Sequence, residues 1–363
     1  MPGRHEVCLR GIARGAYNAP GRLPSLQRRS RLTAIVLGVG YVGSALVRAL
    51  LARGEHVVAL DNLFSTDEAV VAGLGQAPAY RFIRGSVADP AALESAFRAA
   101  SGPATVFNLA AQASASPEAA SPEYVEETNL RGPRLVLEAM RRFGARTLVY
   151  GSSLRVYGDS LPDDADEYTP YGRFSDLSHL SKVYVEKLME MYAARDGLRC
   201  LSVRLGLVYG PAPVMKTDYR FMTAPNKFCL QAVRGEELVV WGDSRVGLIH
   251  VADAASALLA AAEHPGFAGY VPANAATELA TIADVARLVA EEGRRRGLEV
   301  RIRLPGESPH PSPLPGGEGE GLPSRLTATS FQPTHDLRRG VAETLEHFLM
   351  NRRSGVPLWP ASC

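Results

Sequence analysis

The sequence predicts an α/β protein, a Rossmann-type doubly wound parallel sheet with a smaller C-terminal α/β substrate lobe, on three observations. Short β-branched runs alternate with longer helical patterns from Thr33 to about residue 210, which implies βαβ units and a parallel sheet. A glycine turn, Gly38-Val-Gly-Tyr-Val-Gly43, follows the first run and opens a helix. An acid, Asp61, closes the second run, 18 residues past Gly43.

Strands are expected at Thr33–Leu37, His56–Asp61, Arg81–Gly85, Thr105–Leu109, Arg146–Ser152 and Cys200–Leu205. Helices are expected between them at Ser44–Arg53, Pro90–Ala100, Tyr124–Phe143 and Leu177–Arg195. The rhythm breaks at a Pro-rich polar loop, Gly210–Asn226, which precedes a helix and a strand at Leu238–Trp241. A helix at Val251–Glu263, a strand near Tyr270, a helix at Thr281–Arg296, a strand at Val300–Leu304 and a last helix at Asp336–Arg353 complete the second lobe. The division expected is therefore 32–210 for the nucleotide domain and 211–353 mainly for the substrate lobe, set on the carboxyl edge of the sheet.

Two segments fall outside this pattern. Residues 1–31 carry seven arginines with Glu6 as their only acid; they read as a disordered extension, with an organellar targeting peptide as the alternative. Pro305–Ser324 is heavy in Pro and Gly and poor in large apolar side chains, so it reads as a disordered insertion in a surface loop. Residues 354–363 are a tail.

Composition narrows the function class. With 46% hydrophobic and 21% charged residues and a net charge of +2, the 363 residues suit an ordinary soluble globular protein. Outside the arginine-rich start the chain is mildly acidic, so neither nucleic acid nor a membrane is expected as a partner. Cys8, Cys200, Cys229 and Cys363 show no metal-ligand spacing; a reduced, cytoplasmic protein without a bound metal is the expectation.

The glycine turn has a mechanism. Gly38 permits the tight turn, Gly40 lets the backbone approach a pyrophosphate, and Gly43 lets the helix pack close to the strand. Free N–H groups at the helix start then face the phosphates, beside Tyr41 and Val42. A carboxylate at Asp61 can accept from both ribose hydroxyls and repels a 2′-phosphate. The pair points to NAD rather than NADP.

Further motifs occur in order: Asp61-Asn-Leu-Phe-Ser-Thr66, Val106-Phe-Asn-Leu-Ala-Ala-Gln112, Asn129-Leu-Arg-Gly132, Gly151-Ser-Ser-Leu-Arg-Val-Tyr-Gly158, Ser181-Lys182 with Glu186, and Arg204-Leu-Gly-Leu-Val-Tyr-Gly-Pro211. Together they resemble the extended short-chain dehydrogenase/reductase family, specifically its NAD-dependent sugar-nucleotide epimerases and dehydratases. The resemblance covers about residues 33–350. It implies that Leu109, Ala110 and Ala111 line the cofactor, with Asn62, Ser86 and Val87 in the same site. It places Ser153 at the catalytic Ser/Thr position and Lys182 at the lysine that binds nicotinamide ribose and lowers the pKa of a tyrosine four residues earlier. In the family that phenol takes a proton from a sugar hydroxyl while hydride passes to NAD+.

Here that position is Ser178, in Leu177-Ser-His-Leu-Ser-Lys182, and a serine hydroxyl is too weak an acid to replace a phenol near neutral pH. His179 is adjacent, with a near-neutral imidazole, but neighbouring helical positions point about 100° apart. Tyr157, Tyr171 and Tyr184 are further candidates for proton transfer. Three smaller departures accompany this one: Leu37 replaces the family's first glycine, Ser86 replaces an acid that commonly contacts adenine, and Asn108 replaces a frequent His.

On the substrate side, Gly242-Asp-Ser-Arg-Val-Gly-Leu-Ile-His-Val-Ala-Asp253 is similar to a family segment whose Arg grips the nucleotide diphosphate. Arg245 stands one position out of register, with Val246 in the usual place. Asn226 and Lys227 fall where the family often contacts the nucleotide, and Asp253 reads as a helix cap or inter-lobe contact.

The reading is an NAD-dependent sugar-nucleotide epimerase or oxidoreductase. Gly151-Ser-Ser153 stands where dehydratases usually carry Thr-Asp-Glu, which disfavours dehydration. The alternative is an NAD-binding protein whose catalysis is weak or lost at Ser178; a reductase for a non-sugar carbonyl compound is a third. The resemblance also implies a homodimer that pairs the helices expected at Tyr124–Phe143 and Leu177–Arg195.

Overall fold

Apolar β-branched runs bounded by glycine or an acid form the central strands, and the segments between them coil into covering helices. The computed structural model describes residues 32–100, 102–114, 118–242, 244–304 and 321–354. The expected extension at 1–31 lies outside the described residues, as do positions 305–320 of the insertion, Cys8 and Cys363.

In chain order, β1 (Thr33–Leu37) leads to α1 (Tyr41–Ala52), β2 (His56–Asp61), α2 (Glu68–Ala72), β3 (Tyr80–Arg84), α3 (Pro90–Ala99) and β4 (Ala104–Asn108). A short α4 (Pro122–Val125) passes through a π-type turn (Glu126–Arg131) into α5 (Gly132–Phe143). Then come β5 (Thr147–Ser153), a 3₁₀ turn (Leu154–Tyr157), α6 (Leu177–Asp196) and β6 (Arg199–Leu205). The remainder is β7 (Leu207–Tyr209), α7 (Ala224–Arg234), β8 (Leu238–Val239), β9 (Arg245–His250), α8 (Val251–Glu263), β10 (Tyr270–Ala275), β11 (Glu278–Thr281), α9 (Ile282–Arg295), β12 (Ile302–Arg303) and α10 (Leu337–Arg353).

The main sheet has seven parallel strands in the order β10-β6-β5-β4-β1-β2-β3. Its strand order reverses between β1 and β4, and a ligand crevice opens beyond the carboxyl ends at such a switch point. Side-chain alternation along β1 feeds two cores. Ala34 and Val36 pack with α1 and α8 through Leu46, Leu50, Ala254 and Leu258. Ile35 and Leu37 pack with α3, α5 and α6 through Leu93, Leu137, Met140 and Met189. A separate core joins α7, α9 and α10, with Phe228, Val285, Val289, Leu345 and Phe348 fully or nearly buried.

The fold differs from the sequence expectation in five places. The strand near Tyr270 and the helix at Val251–Glu263 do not belong to the second lobe: β10 pairs with β6, and the small apolar residues of α8 pack against α1 and the main sheet. The expected helix Tyr124–Phe143 is interrupted by the π-type turn. Strands β7, β9 and β11 form a small sheet of their own. Helix α7 starts at Ala224, with Pro225 in its first turn, so Asn226 and Lys227 are helical. Finally, Leu322 and Ser324 are ordered against the main body: Leu322 is buried beside Leu154 and Tyr157, and Ser324 donates to the carbonyl of Asn274. No helix among the described residues is long and apolar enough to cross a membrane.

Candidate active site

A cavity of about 580 Å³ lies at the switch point. Its floor is the turn between β1 and α1. Gly38 has φ +86°, and a Cβ there would come 2.4 Å from the backbone N of Ala110; the turn and the segment after β4 touch because neither has a side chain between them. A Cβ on Gly43 would fall 2.0 Å from the Gly38 carbonyl oxygen. A Cβ on Gly40, by contrast, meets no described atom within 4 Å, so this backbone faces the cavity directly. Gly40 caps α1 without a side chain, and the first turn of α1 carries no acid. The N–H groups there are left for an anion, and the turn therefore fits a dinucleotide's pyrophosphate.

Asp61, at the end of β2, accepts from Val39 N and Leu63 N at 2.7 Å each, which ties the glycine turn to the acid and still leaves lone pairs on both oxygens. Asn62 donates to Tyr124 Oη at 2.9 Å, and Tyr124 stacks on Phe64 at 4.2 Å. Asp61, Asn62, Phe64, Ser65, Thr66 and Tyr124 all line this end of the cavity. Val42, Val87, Leu109, Ala110 and Ala111 line it too. Ser86 does not: its hydroxyl accepts from Ala88 N at 3.1 Å and closes its own turn. Tyr41 lines the cavity, and its hydroxyl is held between the Gly210 carbonyl and Asn226 Nδ2.

Lys182, Ser153 and His179 line the opposite end. Lys182 is buried, donates to the Gly151 carbonyl at 2.8 Å and sits over the Tyr150 ring. Burial pulls its ammonium down to about 8, against the opposing pull of Glu186. Ser153 accepts from Arg155 N at 3.2 Å at the start of the 3₁₀ turn, which leaves its proton free to donate.

At the tyrosine position, Ser178 is buried and donates to the Gln112 carbonyl at 3.1 Å. It shares a helical face with Lys182 but is too short to reach the cavity, and it is not among the lining residues. His179 is among them, although it stands about 100° round the helix; the imidazole's reach from the first turn of α6 covers the offset. Asp176 caps α6 by accepting from His179 N at 2.9 Å, and its other oxygen lies 2.5 Å from His179 Nδ1 in a bent contact. Burial lowers the His179 pKa, with Asp176 opposing and Arg155 and Lys182 assisting. The pattern Asp-x-x-His at a helix start is the sequence signal for Asp176.

Of the three tyrosines proposed as substitutes, none lines the cavity among the described residues. Tyr157 and Tyr171 belong to a buried network beneath it: Glu186 accepts from Ser152, Ser202, Arg204, Tyr171 and Tyr270 at 2.6–3.0 Å, and Arg204 also donates to Tyr157 at 2.8 Å. Burial opposes the Glu186 charge, but Arg204, Ser152 and Ser202 hold its pKa below the ordinary value. Tyr184 is exposed. The network fixes α6 against β5 and β6, and so fixes Lys182. The π-type turn contributes in the same way: Thr128 lines the cavity, while Asn129 bonds the backbone of Gln112 twice and Ser181 once.

The second lobe closes the cavity with Lys216, Arg220, Phe221, Met222, Thr223 and Ile282, and no sequence motif marked these. The three substrate-side residues expected from sequence do not reach it. Asn226 is buried, accepting from Gly210 N and donating to Tyr41. Lys227 lies over the Tyr219 ring. Arg245 is exposed, pairs with Asp163 at 2.7 Å, and borders a separate, smaller cavity. Asp253 accepts from Thr334 and His335.

Comparison with known proteins agrees with this architecture. The family model described as the NAD dependent epimerase/dehydratase family matches residues 34–270. The chain is 30% identical over 339 residues to a dTDP-4-dehydro-6-deoxy-D-allose reductase of Streptomyces sp, across 88% of this chain and 97% of that protein. It is 30% identical over 237 residues to UDP-glucuronic acid decarboxylase 1 of Arabidopsis thaliana, across 64% of this chain; there it spans about half, 51%, of the relative's length. Among solved structures it is similar to a UDP-glucose 4-epimerase of Thermus thermophilus in complex with NAD, with TM-score 0.71, 26% identity, and coverage of 88% of this chain and 99% of that one.

Proposed function

The chain belongs to the NAD dependent epimerase/dehydratase family, and from that premise we propose that it is an NAD-dependent sugar-nucleotide epimerase or oxidoreductase of the extended short-chain dehydrogenase type. One observation carries the reading: a single cavity joins the glycine turn and Asp61 to Ser153, Lys182 and His179, and continues into the second lobe.

The turn from Gly38 to Gly43 and Asp61 would hold NAD+, with Lys182 at its nicotinamide ribose; bound there, NAD+ supplies the hydride acceptor. His179 takes the proton from the sugar hydroxyl as the C–H bond breaks. Burial keeps this imidazole neutral at pH 7 and ready to accept, and Asp176 steadies the charge that arrives. Ser153, whose hydroxyl already accepts from Arg155 N, donates a hydrogen bond to the reacting oxygen and keeps its proton. Turning the keto sugar to present its other face to the returning hydride, while His179 returns the proton, would complete an epimerisation and regenerate NAD+.

The test is to mix purified protein with NAD+ and a panel of nucleotide sugars. Interconversion, or a rise in the reduced cofactor's absorbance, is expected; NAD+ binding without turnover across the panel selects the alternative of lost catalysis. That alternative rests on Ser178, whose hydroxyl is committed to Gln112. Changing Ser178→Tyr separates the two readings, because a large gain of activity means that His179 is not an adequate proton carrier.

The proposal includes a homodimer in a cytoplasmic setting. Support for pairing comes from α6, where Leu180, Tyr184 and Met191 are 49%, 41% and 49% exposed at spacings that share one helical face.

A further inference from the structure

We infer that the adenosine end of the cavity also accepts a ribose 2′-phosphate through Lys216, so that the chain binds NADP+ as well as NAD+. The inference rests on the cofactor reading above and departs from what Asp61 alone implies. An acid at the end of β2 excludes a 2′-phosphate when nothing offsets its charge. Here it is offset. Lys216, on the loop between β7 and α7, reaches back from the second lobe and donates to the carbonyl and, at 2.8 Å, to the hydroxyl of Ser65. Lys216, Ser65, Thr66 and Asp61 line the same end of the cavity.

Burial pulls the Lys216 ammonium down to about 8, while the charge of Asp61 holds it up. It is therefore mostly charged at pH 7, and the edge carries one cation against one anion. Asp61 is itself braced by two backbone N–H groups, which fixes where its charge sits. Ser65 accepts from Lys216 and keeps its own proton to donate, and Thr66 adds a second hydroxyl. An ammonium with two hydroxyls is a donor set suited to a phosphate monoester. The nearby cation of Arg84 does not line the cavity and pairs with Glu68, so the assignment falls on Lys216.

The experiment is calorimetric titration of the cofactor-free full chain with NAD+ and with NADP+, for the native protein and the Lys216→Ala and Lys216→Arg variants. NADP+ is expected to bind within about a hundredfold of NAD+, and Lys216→Ala to weaken NADP+ by about tenfold or more with NAD+ changed less than about threefold. Lys216→Arg should retain both. Retained NAD+ binding serves as the control for folding. NADP+ binding weaker than that limit, or an equal loss of both cofactors in Lys216→Ala, overturns the inference and leaves Lys216 as a tie between the lobes. Absence of binding by either cofactor defeats the underlying NAD reading instead.

Discussion

His179 and Lys182 lie three residues apart on α6, and burial moves both pKa values in the same direction. His179 falls below its ordinary 6.5, so the imidazole regains its proton, and loses its use as a base, only in more acidic solution than a free histidine would. Lys182 loses its charge near 8. A plot of kcat/KM against pH is therefore expected to rise below 6.5 and to fall around pH 8. Replacing His179→Ala should cost about 10²- to 10⁴-fold in kcat and abolish the acid limb; an acid limb that survives would remove His179 from the mechanism. Lys182 also couples to stability. Between about 8 and its ordinary 10.5 the unfolded chain holds a proton that the folded chain has released, so its contribution to stability rises with pH across that window. At this scale the sequence located Ser178 as the point of departure but not its consequence. Which of two adjacent side chains meets the cavity depends on where the helix starts and on reach, and only Asp176 among the nearby residues announces the start.

At the scale of elements, the β1–α1 turn separates two glycines that look equivalent in the motif. A methyl on Gly43 collides with the Gly38 carbonyl inside the protein, whereas a methyl on Gly40 projects into the cavity. Gly43→Ala is expected to destabilise the fold by more than about 2 kcal/mol, read as a lowered denaturation midpoint. Gly40→Ala should leave the midpoint within about 0.5 kcal/mol of the native value while nucleotide binding falls sharply. Equal effects of the two on stability would contradict the geometry. Strands β1 to β6 were legible because each is a short run bounded by a glycine, an acid or a helix cap, and all but the edge strand β3 are mostly buried. Strands β7, β9 and β11 were not, since β7 and β11 are only three and four residues long, Gly247 interrupts the apolar pattern of β9, and their pairing is decided by partners distant in sequence. Lys216 gave no signal for the same reason: Ser65 lies 151 residues away.

Across the whole molecule, the exposed face of α6 leads to an expectation about assembly. Light scattering should report a dimer, and Tyr184→Glu combined with Met191→Glu should give a monomer that still binds NAD+; a native monomer would refute the proposed pairing. The chain also crosses between its lobes more often than the sequence rhythm suggested. It leaves the main sheet after β6, builds β7 to β9 of the second lobe, returns for α8 and β10, and leaves again for α9 and α10. This path sets an order of assembly. During synthesis the first six parallel strands emerge with the outer edge of β6 uncovered and with α1 lacking its neighbour α8. Both wait for residues up to Ala275, so long-range contacts close late and the half-made sheet is a species with an open edge. A fragment ending at residue 210 would preserve that exposed state permanently, and its natural fate is aggregation rather than an autonomous nucleotide-binding domain.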